Sequence, residues 1–279
     1  MKENASMNHP LDDIDRAWLS EYESAVVALF SSEFKEDADR FTEGNRLLNR
    51  FVASVEEVRK RGRGFFRAVD EAHNELCIAV ALLKNVGPRF VRVLYEPPLP
   101  NTDRTIDFCA EIQGGQNVYV DVKTIKPLPK DRWDQYERAI KEGWFPKNVA
   151  LMVEREWLGG KLWHDAFAAR ARMLEYTLEL EQKIAQAQLA INGNVSVLAF
   201  CGEGFHWHQD ELEDFVAFYR TGHHRADDPF SLVEDNYIDE KHLSLSRVVS
   251  RFVCLRRPQG ELLQKRLNWN VQPPKESGY

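Results

Sequence analysis

Residues 105–125, "TIDFCAEIQGGQNVYVDVKTI", alternate apolar and polar side chains on either side of a diglycine. Neighbouring side chains in a strand point to opposite faces, so this pattern commits the segment to two strands joined at Gly114-Gly115. Ile106, Phe108, Ala110 and Ile112 share one face of the first strand, and Val118, Val120 and Val122 share one face of the second. All carry even numbers. A two-residue loop of Gly114 and Gly115 alone would set apolar against polar, so the pairing requires an odd loop or a bulge, which a glycine at positive φ supplies. The other face then collects the polar side chains: Thr105, Asp107, Cys109 and Glu111 from one strand, Tyr119, Asp121 and Lys123 from the next. In a matching register Asp107 falls opposite Asp121 or opposite Lys123.

An Asp and a Lys two positions apart on a half-exposed strand are ordinarily a surface ion pair, worth ~0.2–1 kcal/mol. Either register here, however, gathers two carboxylates and one ammonium in one patch. Such a patch is costly unless the carboxylates share a cation, which is the demand of a hard-metal site. A third acid lies upstream in "EAHNELCIAVALLK", residues 71–84. At helical spacing Ala68, Ala72, Ile78, Ala79, Leu82 and Leu83 surround Glu75, while Asp70, His73, Asn74 and Lys84 fall on the opposite side. A glutamate inside an apolar stripe either meets an arginine or serves a site, because an unpaired buried carboxylate is strongly disfavoured.

The order of these features, a helix with Glu75, a strand near 90–95, a strand with Asp107 and a strand with Asp121-Val122-Lys123, resembles the PD-(D/E)XK nuclease superfamily with its restriction-endonuclease-like fold. The resemblance runs from about residue 65 to 201. It implies an α/β fold with an α-β-β-β-α-β core and a mixed sheet. The residue before Asp107 is Ile106 rather than proline, and the third-strand acid is aspartate rather than the commoner glutamate. No Gln-x-x-x-Tyr follows the third strand, so an endonuclease is expected before a RecB-like exonuclease. The resemblance implies Glu75, Asp107, Asp121 and Lys123 as catalytic residues and Mg²⁺, with Mn²⁺ as substitute, as cofactor. Asp107, Asp121 and the Val122 carbonyl would hold the metal, with Glu75 at a second metal or a metal-bound water. The implied activity is hydrolysis of nucleic acid, DNA first; a nuclease-fold protein that only binds is the alternative.

Two basic stretches suit phosphate contact. "RKRGRGFFR" brings Arg59, Lys60, Arg61 and Arg63 ahead of the Glu75 helix, and the segment from 126 interleaves Lys126, Lys130 and Arg132 with Trp133 and further aromatics. Each is equally the solvated face of a helix. The net charge of −7 argues against a protein that coats nucleic acid through bulk electrostatics, without excluding a local patch. Cys77, Cys109, Cys201 and Cys254 form no Cys-x-x-Cys, so reduced thiols are expected. His206, His208, His223 and His224 fit no standard zinc spacing. Walker A, Gly-x-Ser-x-Gly and His-Glu-x-x-His motifs do not occur. No apolar run reaches membrane-spanning length and the polar N-terminus is unlike a secretory signal, so a cytoplasmic protein is expected.

The expected organisation is a helical N-terminal extension over 1–64, a nuclease-like core over 65–205, and a C-terminal region over 206–279. The core closes with a long helix over 161–191, ended by Asn192-Gly193-Asn194, and a buried strand, "VSVLAF", over 195–200. The C-terminal region carries a helix, "QDELEDFVAFYRTG", a strand candidate, "RVVSRFVCL", and a polar tail. That α/β decoration is expected to pack on the core and to serve homodimer formation or substrate choice.

Overall fold

The structure is a computed structural model that describes residues 10–62, 65–85, 90–125, 160–202, 209–223, 244–256 and 270–274. Its centre is a sheet whose strands lie side by side in chain order: β1 (Phe90–Tyr95), β2 (Phe108–Ile112), β3 (Asn117–Ile125), β4 (Val195–Gly202), β5 (Arg251–Arg256) and β6 (Asn270–Gln272). β1, β2 and β3 form an antiparallel meander, β3–β4 and β4–β5 are parallel, and β6 returns antiparallel to β5. Parallel neighbours need a crossover. Helix α4 (Gly160–Gln186) lies between β3 and β4 in the chain, and α5 (Gln209–Thr221) between β4 and β5.

The hairpin parity holds. Phe108 pairs with Val120 and Ala110 with Val118, apolar against apolar. Gln113, Gly114 and Gly115 make the odd loop between Ile112 and Gln116, with Gly114 at φ 102° and Gly115 at φ 83°. In this register Asp107, continued one residue back along the chain, falls opposite Asp121.

Both faces of the sheet are covered, as a sheet with parallel strands requires. On one side Phe108, Ala110, Val120, Val122, Val197 and Ala199 pack against α1 (Asp13–Glu36), α2 (Gly44–Arg61) and α3 (Phe66–Asn85). On the other, Cys109, Tyr119, Leu198, Phe200 and Phe252 pack against Met173, Leu180 and Ile184 of α4 and Phe215 and Tyr219 of α5. α1 starts at Asp12, whose side chain accepts the Asp15 N–H at 2.7 Å, and Asp13 and Asp15 favour the positive end of its dipole. It buries Leu19, Tyr22, Val26, Phe30 and Phe34, the three- and four-residue spacing of one face.

Several expectations change. α1 and α2 belong to one apolar cluster with α3 and the sheet. They also cover the far side of α3. Asp70, His73 and Asn74, on the side of the helix opposite the apolar stripe, are therefore buried too, and His73 sits among Tyr22, Phe30 and Phe51. The long helix ends at Gln186, and a short 3₁₀ turn over Leu189–Asn192 follows it. The C-terminal strand candidate is β5, paired directly to β4, and β6 extends the sheet beyond it. A buried carboxylate fastens the approach to β5: Glu181 accepts from Tyr219 Oη at 2.8 Å, Ser246 N at 2.7 Å and Val248 N at 3.2 Å.

The outer border of β1 is covered by the α1–α2 connection. Val93 N–H donates to the Arg40 carbonyl at 2.8 Å and Tyr95 N–H to Glu43 Oε2 at 2.7 Å. All four cysteines are buried thiols. No described helix is long and apolar enough to cross a membrane.

Candidate active site

Asp107 stands where β2 begins. The expected strand over 105–112 is shorter, because the chain bends at Asp107 and regular pairing starts at Phe108. Ile106 is accordingly not on the Phe108 face; it joins the cluster formed with α4 and α5. The bend frees β3 beyond Val120 from its β2 partner. Val122 N–H, the donor that would have continued the ladder, is taken by Asp107 Oδ2 at 2.6 Å. The Asp107 carbonyl accepts from Glu96 N at 2.8 Å, which fixes the bend from the β1 side.

Asp121 is 1% exposed on the α4 side of β3. Lys183 Nζ donates to its Oδ1 at 3.0 Å, and Lys123 Nζ lies 3.3 Å from its Oδ2. That second contact is an ion pair without a hydrogen bond, so Oδ2 is a buried acceptor whose hydrogen-bonding capacity is unused. Lys123 also lies 3.5 Å from Glu179 Oε2 and 5.6 Å from the centre of the Tyr176 ring. Burial opposes its charge, but Asp121, Glu179 and Asp107 more than offset that and raise its pKa.

Glu75 reaches the site from α3 and is 6% exposed. It meets an arginine: Arg50 of α2 donates to Oε2, and Tyr95 Oη donates to the same oxygen at 3.0 Å. Burial, then the Asp107 carboxylate, pushes Glu75 up to about 7 against the opposing pull of Arg50 and Tyr95. Burial and then Asp121 likewise push Asp107 up to about 7, although the Val122 N–H, Lys123 and Lys183 favour its charge. Asp107 is thus the middle of three carboxylates, repelled by one on each side.

Glu75, Asp107, Asp121, Val122 and Lys123 therefore come together. Arg50, Tyr95, Glu179 and Lys183 join them without having been anticipated. Their traces in the sequence are the arginine partner that a glutamate in an apolar stripe invites and the four-residue spacing of Glu179 and Lys183, common on any solvated helix. The basic run lies elsewhere. Arg59 is nine residues beyond Arg50 along α2, about 13 Å at helical rise, and is paired with Glu23 and Glu56. Lys60 is exposed, and Arg61 pairs with Glu57 and stacks on Phe65. Arg63, Lys126, Lys130, Arg132 and Trp133 lie outside the described residues, as do His206, His208 and His224.

The donor set suits a hard divalent cation, which takes carboxylate and carbonyl oxygens. The unused Asp121 Oδ2 and the mutual repulsion of Glu75, Asp107 and Asp121 are what such a cation would relieve. Among the described residues no three acids, histidines or cysteines are grouped so that they could together hold a metal ion. Neither family models, nor curated proteins, nor solved structures give a match to this chain.

Proposed function

We propose that this chain is a metal-dependent phosphodiesterase of the PD-(D/E)XK kind, an endonuclease acting on nucleic acid with DNA as its first substrate. The observation that carries the reading is the convergence of Glu75, Asp107, Asp121 and Lys123 at the point where β2 leaves β3. The succession α3-β1-β2-β3-α4-β4 around that point supports it. Asp107, Asp121 and the Val122 carbonyl would hold Mg²⁺ or Mn²⁺. Bound there, the ion neutralises the anionic diester and lowers the pKa of water. Lys123, kept charged by three carboxylates, stabilises charge developing on the phosphate or orients the attacking water. Glu75, steadied by Arg50 and Tyr95, holds water on the α3 side.

The test is a panel of single-stranded, double-stranded and branched DNA and of RNA, each with Mg²⁺, Mn²⁺ or EDTA. Cleavage of at least one substrate with metal, none in EDTA, and none by Asp107→Ala or Asp121→Ala is expected. Cleavage that persists in either variant, or no cleavage of any substrate, counts against the reading.

One observation favours a protein that binds without cutting. Arg50 already engages Glu75, and Lys123 and Lys183 already engage Asp121. Calorimetric titration with Mn²⁺ separates the two readings: a metal enzyme binds the ion and loses it on Asp107→Ala, whereas the self-compensated site takes up none.

A further inference from the structure

Glu179 and Lys183 sit four residues apart on one face of α4 and meet Asp121 and Lys123 of β3 in a closed ring of alternating charge. Lys183 Nζ is 3.0 Å from Asp121 Oδ1 and 3.8 Å from Glu179 Oε1; Lys123 Nζ is 3.3 Å from Asp121 Oδ2 and 3.5 Å from Glu179 Oε2. Each carboxylate thus offers one oxygen to each ammonium.

The two carboxylates are not equivalent. The Asp121 side chain is 1% exposed, and those of Lys183 and Lys123 are 11% and 19% exposed, whereas that of Glu179 is 43% exposed. For each lysine, the Glu179 contact is also the longer one. Glu179 is therefore the loosely held member on the solvent side of two largely buried ammoniums. Without it, Asp121 is the one carboxylate left within ion-pair distance of Lys123 and Lys183 among the described residues, with Asp107 acting on both from farther away. A phosphodiester carries one negative charge shared by two non-bridging oxygens, the same two-pronged acceptor that Glu179 presents. An ordinary i,i+4 surface pair does not account for this arrangement, because Lys183 makes its shorter contact to Asp121, 62 residues away, and Glu179 makes its shorter contact to Lys123.

We propose that Lys123 and Lys183 form a binding site for a phosphodiester of the nucleic-acid backbone, and that Glu179 occupies this site in the free protein as an internal substitute that the substrate displaces. The identity of the anion rests on the nuclease reading; the exchange of one anion for another does not.

The full-length chain is tested in EDTA, so that binding is measured without cleavage. Fluorescein-labelled single-stranded and duplex DNA are titrated with wild type, Glu179→Gln and Lys183→Gln, with inorganic phosphate as competitor. Glu179→Gln keeps the shape and removes the competing charge. It should tighten DNA binding about 2- to 5-fold, the order of one exposed charge contact, and make phosphate a stronger competitor. Lys183→Gln should weaken both. Should Lys183→Gln fail to melt cooperatively, the Glu179→Gln comparison decides alone. Unchanged or weaker binding in Glu179→Gln overturns the proposal, and so does a loss of Mn²⁺ affinity with unaltered DNA affinity, which would make Glu179 a metal ligand. Tighter binding in Glu179→Gln alongside a wild type that cuts nothing with Mg²⁺ would sink the nuclease reading and leave the anion site standing. Cleavage by wild type with no change in affinity would do the reverse.

Discussion

At the residue scale, Asp107 shows how one bend assembles a site. Its backbone is held by Glu96 and its carboxylate caps Val122, so it lies between a glutamate on one face of the sheet and an aspartate on the other. Repulsion along that row sets a pH dependence. Glu75 and Asp107 are both raised to about 7, from 4.5 and 3.8, so the folded state binds their protons more tightly than the unfolded chain does. Their contribution to stability is fully present below about pH 4 and is lost as pH rises through about 7. The metal-free melting temperature should fall across that window, less steeply in Asp107→Asn. Mn²⁺ should raise it at pH 8 and leave it unmoved at pH 5, where protons hold the same oxygens; an equal shift at both values would contradict this. Lys123 is tested through turnover. Lys123→Ala should keep metal and, at saturating substrate, lose on the order of 100-fold or more in turnover. Lys123→Arg, which replaces a compact ammonium by a planar fork, should fold and remain nearly inactive. If Lys123 is only an ion-pair partner, its removal lowers the melting temperature and barely changes activity per folded molecule.

At the scale of elements, the site depends on how α3 is pinned to β3. Asn74 Nδ2 donates to Thr124 Oγ1 at 2.7 Å in the buried interface between them. Thr124→Val keeps the shape and orphans that donor, so chemical denaturation should show a loss of about 1–3 kcal/mol; a neutral result would mean that the pair does not fix the helix. This contact also marks the limit of what the sequence discloses. The parity of the hairpin was legible because even-numbered apolar residues on both strands admit only an odd loop. Glu75 was legible because a charge inside an apolar stripe demands a partner. The bend at Asp107 was not, since "TID" continues the alternation without a break. Nor was the burial of His73 and Asn74, because only tertiary packing brings α1 and α2 over them. Arg50 and Lys183 escaped for the same reason: their acidic partners are 25 and 62 residues away.

At the scale of the whole molecule, β1 to β6 form one sheet. β5 pairs with β4, and Glu181 of α4 fastens the chain that leads into it. A chain ended before residue 244 would uncover the β4 border and leave the buried Glu181 carboxylate without its two backbone donors. It should lose cooperative unfolding by circular dichroism and stay in the insoluble fraction; a truncated protein that melts as sharply as the whole would show the C-terminal strands to be dispensable. The opposite border has a different character. By accepting the outward N–H groups of Val93 and Tyr95, Arg40 and Glu43 leave no free donors at those two positions for an incoming strand. The connection between α1 and α2 therefore withholds those two positions from strand addition at β1.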